Sequence, residues 1–99
     1  MPRESTANPA ATDALQREAA QIRQIRTQLD TSPERALAAC DAGDREFRDG
    51  VFAIERTGLR ALALFALGRD DQAAIAAARY LDAQPRGALA ARLHAARGD

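Results

Sequence analysis

The sequence predicts an all-α fold made of two antiparallel helical hairpins and a C-terminal capping helix. Alanine, the residue with the highest helix propensity, supplies roughly a quarter of the 99 residues. Apolar residues recur at helical spacing between recognisable start and stop signals. Similar segments also recur after 37 to 38 residues, a period that is typical of stacked helical hairpins.

Length and composition exclude several classes of protein. A chain of 99 residues suffices for one domain. Its 14 basic and 14 acidic residues cancel, so it lacks the uniform positive field that attracts proteins to nucleic acid or to an anionic membrane. No apolar run approaches the roughly 18 residues that span a bilayer, and residues 1–8 lack the apolar core of a signal peptide. We expect a cytoplasmic location, no membrane insertion and no cofactor.

The first half of the chain predicts a tail and two helices. We interpret residues 1–12 as a flexible tail and residues 13–97 as the folded domain. A first helix is expected from about Asp13 to Leu29. A second begins at Pro33, because Ser32 is a preferred cap and proline suits the first helical position. The residues expected on the inner faces of these two helices are Leu15, Ile22, Ile25, Leu29, Ala36, Leu37 and Cys40. Gly43 predicts the end of the second helix.

The second half predicts three further helices. A third helix, from about Val51 to Leu67, ends in the segment ALALFAL, whose apolar residues cover nearly the whole circumference and predict a central position. Gly68 is expected to end it. A fourth helix is capped by Asp70 and runs to about Gln84. Its expected inner face comprises Ala73, Ala74, Ala77, Ala78 and Leu81. A short fifth helix, residues 88–96, is expected to bury Leu89 and Leu93.

An internal repeat relates the two hairpins. A shift of 38 residues superposes Leu29 on Leu67, Ala36 on Ala74, Leu37 on Ile75 and Cys40 on Ala78. A shift of 37 superposes residues 50–53 on residues 87–90. Repeats of this kind stack because a single hairpin cannot bury its apolar face alone.

The segment from Leu67-Gly68-Arg69 through Ala73 and Leu81 to Pro85 resembles the second half of a tetratricopeptide repeat. The longer pattern FRDG, ERTGLRALALFALGR and YLDAQPRG is similar to tetratricopeptide-like modules of bacterial proteins, and the resemblance covers residues 13–97. It implies a right-handed α–α superhelix that recognises a protein or peptide, with the first, third and fifth helices lining the concave side.

Motifs for catalysis are missing from the sequence, so we do not expect an enzyme. There is no Gly-rich phosphate loop, no G-x-S-x-G motif and no paired histidines. The single histidine, His94, is interpreted as a solvated residue rather than a catalytic or metal-binding one. The single cysteine, Cys40, excludes an intramolecular disulfide and is interpreted as a small buried apolar residue rather than a reactive thiol.

Four charged residues are candidates for partner binding: Glu55, Arg56, Arg60 and Arg92. Glu55 falls on the apolar face of the third helix, as Glu18 does on the first, and a buried carboxylate needs a partner such as Arg26 or Arg92. The alternative is that Glu55 only favours the first turn of its helix.

Arg56 and Arg60 are expected on the polar side of the third helix, near Leu64 and Leu67. Arginines beside exposed apolar residues are typical of interfaces. The alternative is an ordinary solvated face.

The leading hypothesis is therefore a non-enzymatic protein-interaction module, an adaptor or scaffold. Its partner is a peptide or helix of another protein, or a second copy of the chain. Ala76 and Ala83, expected to face solvent near Ile75, favour self-association. The alternative is a structural subunit of a larger helical assembly. A helix-turn-helix nucleic-acid reader spanning Leu64 to Tyr80 is disfavoured, because its second helix begins with Asp70-Asp71, which phosphates would repel.

Overall fold

The computed structural model describes residues 9–98, and within this range it contains helices and turns but no strand. This confirms the predicted all-α class. The five helices are α1 Pro9–Thr31, α2 Pro33–Glu46, α3 Ala53–Ala66, α4 Asp70–Ala83 and α5 Ala90–Arg97.

Two predicted helix boundaries are confirmed together with their chemistry. Ser32 caps α2, because its side-chain oxygen accepts a hydrogen bond from the backbone N–H of Arg35 at 3.3 Å, and Pro33 takes the first helical position. Gly68, two residues after the end of α3, has a φ of +74°. This left-handed conformation favours glycine and ends the helix.

Three other boundaries differ from the prediction. Helix α1 begins at Pro9, so residues 9–12 of the predicted tail are helical, while residues 1–8 lie outside the described range. Helix α2 continues past Gly43, which is buried within it. A Cβ at Gly43 would lie 2.7 Å from Cδ of Arg56, so this glycine allows a close approach of side chains. Asp70 is the first residue of α4 and not its cap.

The helices are arranged around α3, which contacts each of the other four. The predicted central position of this helix is confirmed. Helix α3 contacts both α1 and α5. No Cα of α2 lies within 8 Å of a Cα of α4. Helices α2 and α4 therefore lie apart, each packed against α3. The right-handed superhelix remains a prediction.

The core is apolar and lies around α3. Leu59, Leu62 and Leu64 of this helix are buried, as are the predicted residues Leu89 and Leu93 near α5. The other large side chains of the core are Ile22, Ile25, Leu29 and Tyr80. Two apolar residues expected inside or near the core are instead exposed, Leu15 by 46% and Val51 by 74%.

Helix α4 presents a different face to the core than its alanine pattern predicted. Ala73 and Ala77 are buried as expected, but Ala74 and Ala78 are exposed. Ala76 and Tyr80 take their place in the core. Tyr80 determines this rotation: its ring is fully buried, and its hydroxyl accepts a hydrogen bond from the backbone N–H of Leu89 at 3.2 Å. A large aromatic side chain with a satisfied hydroxyl stabilises the core more than an alanine does.

The face that α4 buries also shows that the period of the repeat is 37 residues. Helix α4 begins 37 residues after α2, and α5 begins 37 residues after α3. At this spacing the fully buried Ala36 corresponds to Ala73, and the fully buried Cys40 to Ala77. The shift of 38 residues suggested for the second and fourth helices is therefore wrong, because it superposes buried residues of α2 on exposed residues of α4.

Replacing Leu62 by Ala tests the central position of α3. We expect the free energy of unfolding to fall by about 2–5 kcal/mol, as for other large-to-small changes in a packed core. The matched control is Ile75→Ala on the exposed side of α4, where a change within about 0.5 kcal/mol is expected. Urea denaturation followed by circular dichroism measures both, and similar losses in the two variants would contradict the described packing.

Candidate functional site

A groove of about 420 Å³ opens where α2 and α4 lie apart on α3. Its volume is within the range of about 300–1,000 Å³ that is usual for ligand pockets. Leu64 of α3 and Ala76 of α4 are buried and form its apolar floor. The half-buried Leu37 lies on the α2 side, and Ile75, which is 61% exposed, lies on the α4 side. The groove therefore offers apolar surface that nothing in the described chain covers.

Two arginines of the α4 side give the groove a positive charge. Arg69, Gln72, Ala76 and Arg79 recur three or four residues apart, a spacing that places side chains on one side of a helix. Arg69 and Arg79 are exposed, and neither guanidinium forms a hydrogen bond or an ion pair with another residue in the range 9–98. Both are thus available to a ligand.

A third arginine, Arg60 of α3, also lines the groove but is already paired. Its guanidinium donates to Asp41 and Asp44 of α2, with N–O distances of 2.6 Å in both cases. Burial acts to lower the pKa of Arg60, but the hydrogen bonds that it donates to the two carboxylates outweigh this effect, and the pKa is raised. Arg60 is therefore held charged and in place, and it adds little net charge to the groove.

One turn before Arg60, Arg56 of α3 points into the protein and forms a buried polar cluster. Its guanidinium donates to Glu18 of α1 at 2.9 Å, to Asp44 of α2 at 2.8 Å and to the carbonyl of Phe47 at 3.1 Å. Glu18 also accepts a hydrogen bond from the backbone N–H of Phe52. The hydrogen bonds that Arg56 donates to Asp44 and Glu18 raise its pKa against the lowering effect of burial.

The expected place of Arg56 on a polar, partner-binding side of α3 is therefore wrong. The side chain is only 1% exposed, because α1 and α2 cover that side of α3 and supply two carboxylates and a carbonyl. A helical wheel of α3 considers this helix alone and places Arg56 away from its apolar residues. It cannot show that α1 and α2 cover this side and supply carboxylates that accept hydrogen bonds from Arg56.

The remaining candidates lie away from the groove. Glu55 forms an ion pair with Arg26 of α1, one of the two partners expected for it. Arg92 is exposed on α5 and contributes nothing to the groove. The four predicted residues do not form one site, and only Arg60 lines the groove. Sequence reasoning missed Arg69 and Arg79 as residues that line a groove, although their helical spacing was visible.

Cys40 and His94 do not line the groove. Cys40 is fully buried in α2, and its thiol donates to the carbonyl of Arg56 at 3.8 Å. Burial raises the pKa of the Cys40 thiol to about 11, so the nucleophilic thiolate is disfavoured at neutral pH. The interpretation of Cys40 as a buried apolar residue is confirmed. His94 is exposed on α5.

Residues 9–98 hold no group of three or more His, Cys, Asp or Glu side chains placed to bind a metal ion. None of the helices in this part of the chain has both the length and the apolar character needed to cross a membrane.

Comparison of the chain with known protein families, with curated proteins and with solved structures found no match. The resemblance to the tetratricopeptide repeat thus rests on the residues between Leu67 and Pro85 and on the longer helical pattern. It remains a prediction.

Replacing Arg56 by Met tests the buried cluster. The change leaves the Glu18 carboxylate buried without its partner, and we expect a loss of about 3–5 kcal/mol in the free energy of unfolding. A second change, Glu18→Gln, should restore part of this loss, because a neutral amide oxygen can still accept from the N–H of Phe52.

The matched control is Arg17→Met, which breaks the exposed pair of Arg17 and Glu46, whose N–O distance is 3.8 Å. A loss below about 1 kcal/mol is expected there. Chemical denaturation at neutral pH measures all of these variants. Equal losses of unfolding free energy in Arg56→Met and Arg17→Met would contradict a stabilising role of the buried ion pair. The absence of any recovery when Glu18→Gln is added to Arg56→Met would contradict it as well.

The raised pKa of Cys40 predicts a dependence of stability on pH. Because the folded pKa of about 11 exceeds the ordinary value of 9.0, the thiol's contribution is fully present below pH 9 and is lost as the pH rises from about 9 to about 11. The difference in unfolding free energy between the wild type and Cys40→Ala should therefore shrink by about 1 kcal/mol per pH unit in this window. A constant difference would contradict the burial of the thiol.

Proposed function

We propose that this chain is a non-enzymatic protein-interaction module that binds its partner in the groove between α2 and α4. The observation that carries the proposal is the exposed Ile75 beside Arg69 and Arg79, whose guanidinium groups have no partner among residues 9–98. Apolar side chains flanked by arginines are typical of binding surfaces. Burial of the apolar side chains contributes favourable free energy on binding, and the arginines form directed hydrogen bonds.

The floor and one side of this groove are fixed before a partner arrives, which favours binding. Leu64 and Ala76 belong to the packed core, and Arg60 is held by Asp41 and Asp44. A surface whose side chains are already ordered loses less conformational entropy when a partner binds. An adaptor or scaffold needs a surface of this kind.

The groove lies on a different side from the one that the tetratricopeptide resemblance implied. That resemblance placed the ligand against α1, α3 and α5, whereas the groove is bounded by α2 and α4 with α3 beneath. On the side implied by the resemblance, an ion pair between Arg26 and Glu55 links α1 and α3. We therefore assign binding to the α2–α4 side and retain the helical-repeat architecture as part of the proposal.

A second candidate function is self-assembly into a structural helical oligomer. The exposed side chains of Leu15, Val51 and Ile75 favour it, because association would remove their apolar surface from water. Ala83 is exposed, as this hypothesis expected, but Ala76 is buried in the monomer and does not take part. Light scattering after size-exclusion chromatography distinguishes the two candidates, since a monomer at high concentration excludes self-assembly.

Replacing Ile75 by Asp tests the interaction function. The side chain is exposed, so the fold should be retained, while the apolar side of the groove gains a charge that opposes binding. We expect the full-length variant to lose the proteins that the wild type captures from an extract of the source cells, as measured by quantitative mass spectrometry.

The matched control is Val51→Asp, which changes another exposed apolar residue that does not line the groove. This variant should retain the captured proteins. Capture that survives Ile75→Asp but not Val51→Asp would place the binding surface elsewhere and refute the role of the groove.

A further inference from the structure

We infer that the ligand of the α2–α4 groove is an acidic peptide segment of another protein, with an apolar side chain between its carboxylates. The inference rests on the proposed function and adds the chemistry of the partner.

The charge of the groove selects an acidic ligand. Its lining contains three arginines and one carboxylate, that of Asp41, which Arg60 already engages. Arg69 and Arg79 are the two arginines of the lining that no lining carboxylate engages. A guanidinium forms paired, charge-assisted hydrogen bonds with a carboxylate, and such bonds are about twice as strong as neutral ones. A ligand with carboxylates at these two positions would complete the charge balance.

The spacing of the two arginines defines the ligand further. Arg69 immediately precedes α4, and Arg79 lies ten residues further along the chain, within α4. Ten residues correspond to about 15 Å along a helix. An extended peptide advances about 3.3 Å per residue, so carboxylates about four or five residues apart would reach both guanidinium groups. A residue between them would lie over Ile75 and Ala76, where an apolar side chain is favoured.

The two arginines are not equivalent. Asp70 and Asp71 follow Arg69 and lie beside it in an adjoining depression formed by residues 68–72. Their carboxylates reduce the positive potential around Arg69. They also interact favourably with the N-terminal end of α4, which they begin. Arg79 therefore contributes more than Arg69 to the preference for an acidic ligand.

A peptide explains the groove better than a nucleic acid, which is also an anion. Single-stranded nucleic acids bind where aromatic side chains stack on their bases, and no aromatic residue lines this groove. The apolar floor formed by Leu64 and Ala76 offers nothing to a phosphate. The net charge of zero also fails to provide the broad positive field that such ligands require.

A random peptide library displayed on phage, selected on the immobilised full-length chain, tests the inference. We expect enriched peptides to carry two or more Asp or Glu residues around a Leu, Ile, Val or Phe. Fluorescence anisotropy of the synthetic peptides should then give a Kd that rises about fivefold in Arg69→Gln and about tenfold in Arg79→Gln. The control variants Arg23→Gln and Arg86→Gln remove exposed arginines outside the groove and should change the Kd less than twofold.

Three results would overturn the inference. The first is enrichment of peptides without acidic residues. The second is an affinity that responds equally to the groove arginines and to the controls. The third is binding of a fluorescent oligouridylate, in preference to the peptides, that Arg79→Gln weakens.

The failure of this inference is distinguishable from failure of the interaction function. If no acidic peptide is enriched while Ile75→Asp still abolishes capture of cellular proteins, the groove binds a protein of another chemistry and only the ligand inference fails. If Ile75→Asp leaves capture unchanged as well, both are refuted.

Discussion

The ion pair between Arg56 and Glu18 is the interaction on which the arrangement of the first three helices depends. Arg56 belongs to α3, yet its guanidinium contacts α1 through Glu18, α2 through Asp44 and the α2–α3 connection through the carbonyl of Phe47. An unpaired charge at this depth is strongly destabilising. A displacement of α1 or α2 that separates these partners from Arg56 is therefore unfavourable. The cluster thus fixes the positions of α1, α2 and α3, which apolar packing alone would leave less defined.

The equivalent position 37 residues later, at the start of α5, is stabilised by other contacts. Leu93 lies 37 residues after Arg56 and Leu89 lies 37 residues after Phe52, and both leucines are buried. The backbone N–H of Phe52 is satisfied by Glu18, and that of Leu89 by the hydroxyl of Tyr80. Equivalent backbone N–H groups before α3 and α5 thus donate to a carboxylate and to a tyrosine hydroxyl, respectively. The repeat is preserved in its backbone, while the side chains that stabilise it have changed.

This difference explains how far the sequence predicts the fold. Capping by Ser32, the stop at Gly68 and the apolar run of α3 are local signals, and they placed the helices correctly. The orientation of α4 was misjudged because five of its residues between Ala73 and Ala78 are alanines, which carry little directional information. The decisive residue, Tyr80, acts through a hydrogen bond to a residue beyond the helix. Likewise, Arg56 was placed outside because its partners come from two other helices and were not visible on a wheel.

The origin of the groove follows from the same alanines. Small side chains at Ala73, Ala76 and Ala77 allow α4 to lie close against α3. On the other side, Cys40 and Gly43 do the same for α2. Helices α2 and α4 therefore each pack against α3 and not against one another. Leu37 and Ile75 remain on opposite sides of the groove between them. The packing that stabilises each hairpin therefore also leaves apolar surface between them, with Arg69 and Arg79 at its edge.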